Sequence, residues 1–437
     1  MSQRISRRRF VQTTAVASAG YWVAGGVQAE ESKSANERIQ FACIGIGGKG
    51  SSDSGDAGGN GDVVGICDTD AQRLDGAKNR FKGAKAYADF REMLDQLGDT
   101  VDAVTVSTPD HAHAVAASKA LTMGKHCFCQ KPLTHSIFEA RHLGELARKN
   151  GLATEMGNQG TAHNGLREAA AIVKAGTLGD VTEVHVWTNR PVWPQGGARP
   201  TAADPPGHLA WDAWLGPAPE RPFANGYHPF SWRGWWDFGT GALGDMACHT
   251  FNMPFAALNL RDPISVQAET SGHNGDSYPK WSKIHFVFPE NDGRAQVDVY
   301  WYDGGKRPDA ELLGKGPAAS GSLIVGPLGK LYSGGDYGDG FELIGDIQKP
   351  EVQYDRSPGH FKEWVRAIKG GEPAMSNFPD YAGPLTETIL LGNLAVWAAP
   401  EGGAGKKVEW DAKNLVATNA PELAKIVKRD YRSGWSR

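Results

Sequence analysis

The sequence predicts an α/β protein in two parts: an N-terminal doubly wound parallel sheet, then a C-terminal α/β domain built on a large, open, mainly antiparallel sheet. Three observations carry this. Apolar runs beginning at Phe41, Val63, Val101 and Lys125 alternate with helical stretches, as βαβ units do. The first run, Phe41-Ala-Cys-Ile-Gly-Ile-Gly-Gly-Lys-Gly50, breaks into glycines where a strand would turn into a helix. Beyond residue 180, four segments alternate apolar with polar and have few helices between them, which favours antiparallel pairing.

Taken in order, the chain opens on Ser6-Arg-Arg-Arg-Phe-Val11, a weakly apolar stretch from Ala15 to Val27, and a small-residue cleavage site at Val27-Gln-Ala29. This has the form of a twin-arginine (Tat) export signal over 1–29, followed by a polar tether over 30–38. The apolar part is too short, and too rich in Gly, Ser and Thr, to make a stable membrane span. The expected place is therefore outside the cytoplasm, in the periplasm, or tethered to the membrane if the leader is not cleaved.

In the Gly45, Gly47, Gly50 pattern the first glycine permits a tight turn, the second lets a pyrophosphate approach the backbone, and the third lets helix pack on strand. Gly48 and Lys49 lie inside this loop, at the start of a helix whose free N–H groups suit phosphate. Val63-Val-Gly-Ile-Cys-Asp68 ends in an acid about twenty residues later, placed to hold ribose hydroxyls. Asp68 favours NAD over NADP, since it would repel the extra phosphate. A glycine-rich loop in an ordinary sheet, with Asp68 capping the next helix, accounts for the same residues. Ser51 to Asn60 is a poor helix by propensity, so a short or distorted helix is expected there.

Helices are expected over Ala71–Arg80 and Tyr87–Leu97. The strand Val101–Val106 delivers Ser107-Thr-Pro-Asp-His111-Ala-His113 to the carboxyl edge of the sheet, where such folds bind ligands. A helix over Ala114–Met123 stops at Gly124. The strand Lys125–Cys129 runs straight into Gln130-Lys131-Pro132, and Asn158-Gln159 follow the next strand.

The glycine loop, Ser-Thr-Pro-Asp-His-x-His at 107–113 and x-Lys-Pro at 130–132 together resemble the Gfo/Idh/MocA oxidoreductase family. The likeness continues through Gly241-Ala-Leu-Gly-Asp245-Met-Ala-Cys-His249 and Asn377-Phe-Pro-Asp-Tyr381, covering nearly the whole chain after the leader. The resemblance implies a Rossmann domain over 39–160 and a substrate-binding and oligomerisation domain over 161–437. It also implies NAD as cofactor, a sugar or sugar derivative as substrate, and a homodimer or homotetramer through the outer face of the C-terminal sheet. On the cofactor side it points to Gly45, Gly47, Gly48, Lys49, Gly50, Asp68, Ser107, Thr108, Pro109, His111, His113, Gln130, Lys131, Asn158 and Gln159. In the family pattern the residue before the lysine is usually glutamate. Here it is Gln130, and an amide cannot hold the lysine charged.

Lys131 is the first candidate for chemistry: desolvation and the positive nicotinamide ring would both favour its neutral, proton-accepting form. By itself a lysine after a strand is an ordinary surface group. Asp245 and His249, four apart, share one helix face. By themselves they fit a helix cap with a core histidine; the resemblance implies instead that this face meets the lysine across the substrate, with His249 on a sugar hydroxyl. Tyr227-His-Pro-Phe-Ser-Trp-Arg-Gly-Trp-Trp-Asp237 reads as a sugar cradle in which Tyr227, His228, Trp232, Arg233, Trp236 and Asp237 face the ligand. The alternative is a tryptophan-rich packing loop.

Composition narrows the classes. A chain of 437 residues holds two cores, a net charge of -4 argues against nucleic acid, and 14 Trp with 16 Phe suits a site that stacks on sugars or flat rings. Cys43, Cys67, Cys127 and Cys129 lie in apolar strands and read as buried small hydrophobes, with no zinc spacing around them and no metal expected. Export would deprive a dehydrogenase of exchangeable cofactor, so NAD is expected to be loaded first and retained. Three outcomes then fit: hydride passed to a second carbonyl compound, simple oxidation of a sugar or inositol, or transient oxidation that drives elimination, hydration and re-reduction. The last is net hydrolysis, as in NAD-dependent glycosidases that resemble this chain, where a Tyr and His resembling Tyr227 and His228 are candidate acid and base. A non-catalytic sugar-binding protein is the remaining alternative.

Overall fold

The computed structural model describes residues 38–436 apart from Asp292, so the leader and all but the last residue of the tether lie outside the described residues. Six parallel strands form the first sheet: β1 (Ile39–Ile44), β2 (Gly61–Cys67), β3 (Lys85–Tyr87), β4 (Ala103–Val106), β5 (His126–Cys129) and β6 (Thr154–Met156). Their order is β3-β2-β1-β4-β5-β6, so the chain reverses direction across the sheet beside β1. That switch point is where open α/β sheets bind ligands, and β1, β2, β4 and β5 deliver Gly45, Asp68, Ser107 and Gln130 to it.

Ser51–Asn60 is helical after all, within a twelve-residue helix Lys49–Asn60. Poor propensity is overridden by packing. A Cβ on Gly50 would lie 2.0 Å from the Gly45 carbonyl oxygen, so only glycine allows this approach of helix to strand. Asp53, Ser54 and Ala57 are buried beneath it. The expected helix from Tyr87 begins instead at Phe90, because Lys85–Tyr87 pairs with β2 as an edge strand.

The second sheet has ten strands. Nine run in the order β13 (Glu342–Ile344), β12 (Gly329–Gly334), β11 (Gly321–Gly326), β7 (Glu183–Trp187), β10 (Val297–Tyr302), β9 (Ser282–Phe288), β8 (Ser265–Thr270), β15 (Val408–Asp411) and β16 (Val416–Ala417), while β14 (Gly403–Ala404) pairs with β8. Pairing is antiparallel except between β7 and β10. The alternation in β9 and β10 is the cause of its two-sidedness: Ile284, Phe286, Phe288, Val297, Val299 and Trp301 are buried. His285, Asp298 and Tyr300 take the other face, with His285 Nε2 2.6 Å from Asp298 and its ring stacked on Tyr300.

Residues beyond 160 also complete the first sheet. Phe361 and Trp364, on the helix His360–Ile368, pack against Phe41 and Phe128. All five cysteines are buried and free, as small core hydrophobes.

Candidate functional site

A cavity of about 360 Å³ opens at the carboxyl edge of the first sheet. Its floor is the glycine turn. Gly45 has φ 75° and donates its N–H to the Cys67 carbonyl, and a Cβ there would strike the Ser107 carbonyl at 2.5 Å. Gly48 has φ 54° and nothing within 4 Å of where a Cβ would stand, which leaves the helix N-terminus open to a ligand. A Cβ on Gly47 would meet the Arg73 side chain at 2.4 Å, so a guanidinium lies against the loop. Open backbone, a helix N-terminus and a cation together fit a pyrophosphate.

Asp68 is on the cavity wall and only 7% exposed. Its Oδ2 accepts the Ile46 N–H at 3.0 Å and its Oδ1 that of Asp70 at 3.0 Å. The backbone thus fixes this carboxylate where ribose hydroxyls would lie. Lys49 and Gln130 line the same wall and share a partner the sequence did not reveal, Asp53. Lys49 pairs with its Oδ1, while its Oδ2 accepts from Gln130 Nε2 at 2.8 Å and Ser107 Oγ at 2.7 Å. This explains the departure at 130. A glutamate there would set a second carboxylate against Asp53, whereas the amide donates to it.

Lys131 ends the cavity. Its Nζ donates to Asp245 Oδ1 at 2.8 Å and to the Asp245 carbonyl at 2.7 Å. The helix Gly241–Thr250 brings Asp245 there, and Arg233 Nε approaches the same Oδ1 at 3.2 Å. Burial alone would raise the Asp245 pKa, but the adjacent charges of Lys131 and Arg233 outweigh it and bring it down to about 2. The lysine's counter-charge thus comes from Asp245 rather than residue 130. His249, one turn on, is 4% exposed and packs edge-on against Tyr337 at 4.9 Å. Burial and then the Lys131 charge push its pKa well below the usual histidine range, so it is neutral, and it stands behind the cavity wall rather than on it. Its Nδ1 has no hydrogen-bond partner among the described residues.

Other expected site residues are placed differently. Thr108 and Pro109 line the cavity, but His111 and His113 turn inward. His111 lies between the Phe238 and Trp214 carbonyls, 3.2 and 2.9 Å from its two ring nitrogens, and burial holds its pKa down at about 4, so its single N–H donates to one of them. His113 bridges the Thr108 and Pro132 carbonyls, each at 2.8 Å, and so ties together the two loops that wall the site. Asn158 is fully buried, accepting from Ser376, and Gln159 begins a 3-10 turn; neither lines the cavity.

The aromatic segment divides. His228, Trp232 and Arg233 line the cavity, the arginine 4.2 Å over the Trp232 ring. His228 Nε2 lies 3.3 Å from Asp70, on the Asp68 side of the cleft and away from Lys131. Tyr227 is 2% exposed, packed among Trp211, Trp235 and Phe238, and its hydroxyl meets Arg199. It does not face the cavity, so it forms no acid–base pair with His228 there. Trp236 and Asp237 line a separate cavity of about 180 Å³, with Asp237 paired to Arg199 and Arg221. The chain bends between the two pairs: Ser231–Gly234 is a 3-10 turn, and Gly239 packs back on the Arg233 backbone, where a Cβ would be 2.5 Å from it. Sequence reasoning missed Asp53, Arg73, Trp214 and Trp435 on or under the cavity wall. Arg73 and Asp53 had a signal in helical spacing from Asp70 and Lys49; Trp435 had none.

Among the described residues no three of His, Cys, Asp or Glu gather as a metal site, and no helix is long and apolar enough to cross a membrane.

Comparison with known proteins agrees with the geometry. A model described as oxidoreductase family, NAD-binding Rossmann fold matches residues 39–158, and one described as oxidoreductase family, C-terminal alpha/beta domain matches 168–437. An inositol 2-dehydrogenase of Salmonella paratyphi B is 29% identical over 126 residues, 28% of this chain and 37% of that protein. A 2,7-anhydro-N-acetylneuraminate hydratase of Escherichia coli is 30% identical over 94 residues, 21% of this chain and 25% of that protein. The chain thus spans about a third or less of the length of these relatives. The WlbA dehydrogenase of Bordetella pertussis, solved with NADH and UDP-GlcNAcA, shares the fold with a TM-score of 0.60 at 17% identity, over 82% of this chain and 97% of that one.

Proposed function

The chain belongs to the Gfo/Idh/MocA oxidoreductase family, and from that premise we propose that it oxidises a hydroxyl of a sugar or sugar derivative with a retained NAD. The observation that carries this is the meeting of Lys131, Asp245 and Arg233 at the end of the cleft whose other parts fit a dinucleotide. Gly45–Gly50 and Arg73 would hold the pyrophosphate and Asp68 a ribose. The nicotinamide, when bound, supplies the hydride acceptor. Lys131, held by Asp245, presents a charged N–H to the substrate oxygen and stabilises negative charge developing on it. His249, neutral and one helical turn beyond Asp245, is the group assigned to take the hydroxyl proton.

The likeness to a hydratase favours a second reading, in which oxidation is transient and the keto sugar eliminates, adds water and is reduced again. The burial of Tyr227 removes one of the two groups expected to serve that route. We further propose that export follows the Tat route with NAD already bound, and that the open face of the C-terminal sheet around Tyr300 pairs two copies.

The test is incubation of the purified protein with NAD and a panel of aldoses, inositols, uronates and glycosides. A sugar that reduces the nicotinamide in the intact protein and not in Lys131→Ala supports the oxidoreductase. Turnover unchanged in that variant removes the lysine from the mechanism, and a glycoside split without net reduction moves the assignment to the second reading.

A further inference from the structure

The segment from Arg429 to Trp435 runs back across the first sheet and ends on the cofactor cavity. Three arginines fix its path. Arg429 donates to Glu139 at 2.7 Å and to the His111 carbonyl at 2.5 Å. Arg432 bonds the carbonyls of Gly216 and Asp212 at 3.1 and 2.9 Å and pairs with the Asp212 carboxylate. Arg91, held by Asp89 at 2.6 Å, reaches the Gly434 carbonyl at 3.3 Å. The result is that the Trp435 indole forms part of the cavity wall, with the Arg91 guanidinium 4.0 Å over its ring and Phe90 beside it at 5.9 Å.

The place of this indole follows from strand order. Ala88, Asp89 and Phe90 follow β3, the edge strand beyond β2, whereas Lys131 follows β5. Four strand spacings separate those ends, roughly 19 Å. With the pyrophosphate at Gly45–Gly50 and a ribose at Asp68 between them, the β3 end is that of the second nucleoside. The wall there combines Ala88 and Asp89 with two flat rings, Phe90 and Trp435, the latter contributed by the 429–435 segment.

We infer that Trp435 is a cofactor-retaining residue: the 429–435 segment straps the dinucleotide into its cleft by stacking the indole on the adenine. This rests on the reading that a dinucleotide occupies the cavity, and it names what holds it there. Arg91 backs the ring, so the indole meets the base pre-oriented, and a base loses such a partner at a cost known from aromatic stacking.

The test compares the full chain with Trp435→Ala and Trp435→Phe in binding NADH, ADP-ribose and nicotinamide mononucleotide by calorimetry, with NADH release timed by its fluorescence. Trp435→Ala should weaken NADH and ADP-ribose about tenfold, in the range of base–aromatic stacking, and speed NADH release by a similar factor. Nicotinamide mononucleotide, which has no adenine, should bind both proteins alike, and Trp435→Phe should keep most of the affinity. Unchanged ADP-ribose binding in Trp435→Ala overturns the strap, as does an equal loss for all three ligands, which would mark general distortion. An unaltered protein that binds none of the three overturns the occupancy of the cavity, and the strap with it.

Discussion

The two ends of the cleft are built on opposite principles. At the Lys131 end, two cations share one carboxylate oxygen of Asp245 with little water around them: the side chains of Lys131, Asp245 and Arg233 are 16%, 13% and 25% exposed. At the Trp435 end a guanidinium and two rings lie face to face or tilted. A buried charge cluster fails when any member is removed, because the others are left uncompensated. A stack of flat surfaces loses affinity in proportion to the area removed. The charged end is therefore suited to chemistry, where geometry must hold to fractions of an ångström, and the aromatic end to retention, where it need not.

The sharpest break in this contrast is Lys131→Ala, which should lower turnover by about 10²–10³-fold, the usual worth of a positioned donor to a developing oxyanion, while NADH binding stays measurable. A steady-state assay beside a binding titration checks it. Asp245→Asn comes next: it leaves Lys131 and Arg233 facing each other without a charge between them. A loss of about 3–5 kcal/mol in stability is expected by denaturant titration, with activity falling as well.

The same pair sets a pH dependence. With the Asp245 pKa lowered to about 2 in the folded protein, its stabilising contribution is complete above the unfolded value near 4. It is lost as pH falls toward 2, amounting to about 2 kcal/mol. Asp245→Asn should accordingly be flatter between pH 5 and 2 (roughly the range spanning both values) than the unaltered protein. Gln130→Glu is a smaller perturbation. It turns the 2.8 Å bond to Asp53 into a contact between carboxyl groups, and should cost about 1–3 kcal/mol of stability, most at high pH. Asp53→Asn in the same chain should relieve it. Smallest is Tyr227→Phe, whose hydroxyl meets Arg199 and does not reach the cavity. Turnover within about twofold is expected, since it removes no group that faces the substrate.

Much of the cleft between phosphate loop and lysine was legible because its residues sit in motifs tied to strand ends. Gly45, Asp68 and Lys131 each follow an apolar run, and a strand that stops at the carboxyl edge leaves its next residue facing the ligand. Asp245 and His249 were legible as one helix face. The aromatic segment was not. Its residues are chemically alike, and whether Trp232 or Trp236 faces the cavity follows from how the chain bends between them, which residue type does not reveal. His111 and His113 misled for a related reason: a histidine near a ligand loop serves as well to staple carbonyls as to touch the ligand. The helix Lys49–Asn60 shows the converse. A segment that propensity disfavours is held by close packing on Gly45 and by Asp53, buried beneath it. Trp435 was beyond reach, since the 429–435 segment owes its path to arginines bonded to residues more than 200 positions away.

The most direct test of the central claim is the near-ultraviolet spectrum of the purified protein as sugars are added, with Lys131→Ala measured beside it. The reduced-nicotinamide band should rise with one class of sugar in the unaltered protein and not in the variant. The same band rising equally in both proteins, or in neither with any sugar or glycoside, would contradict it.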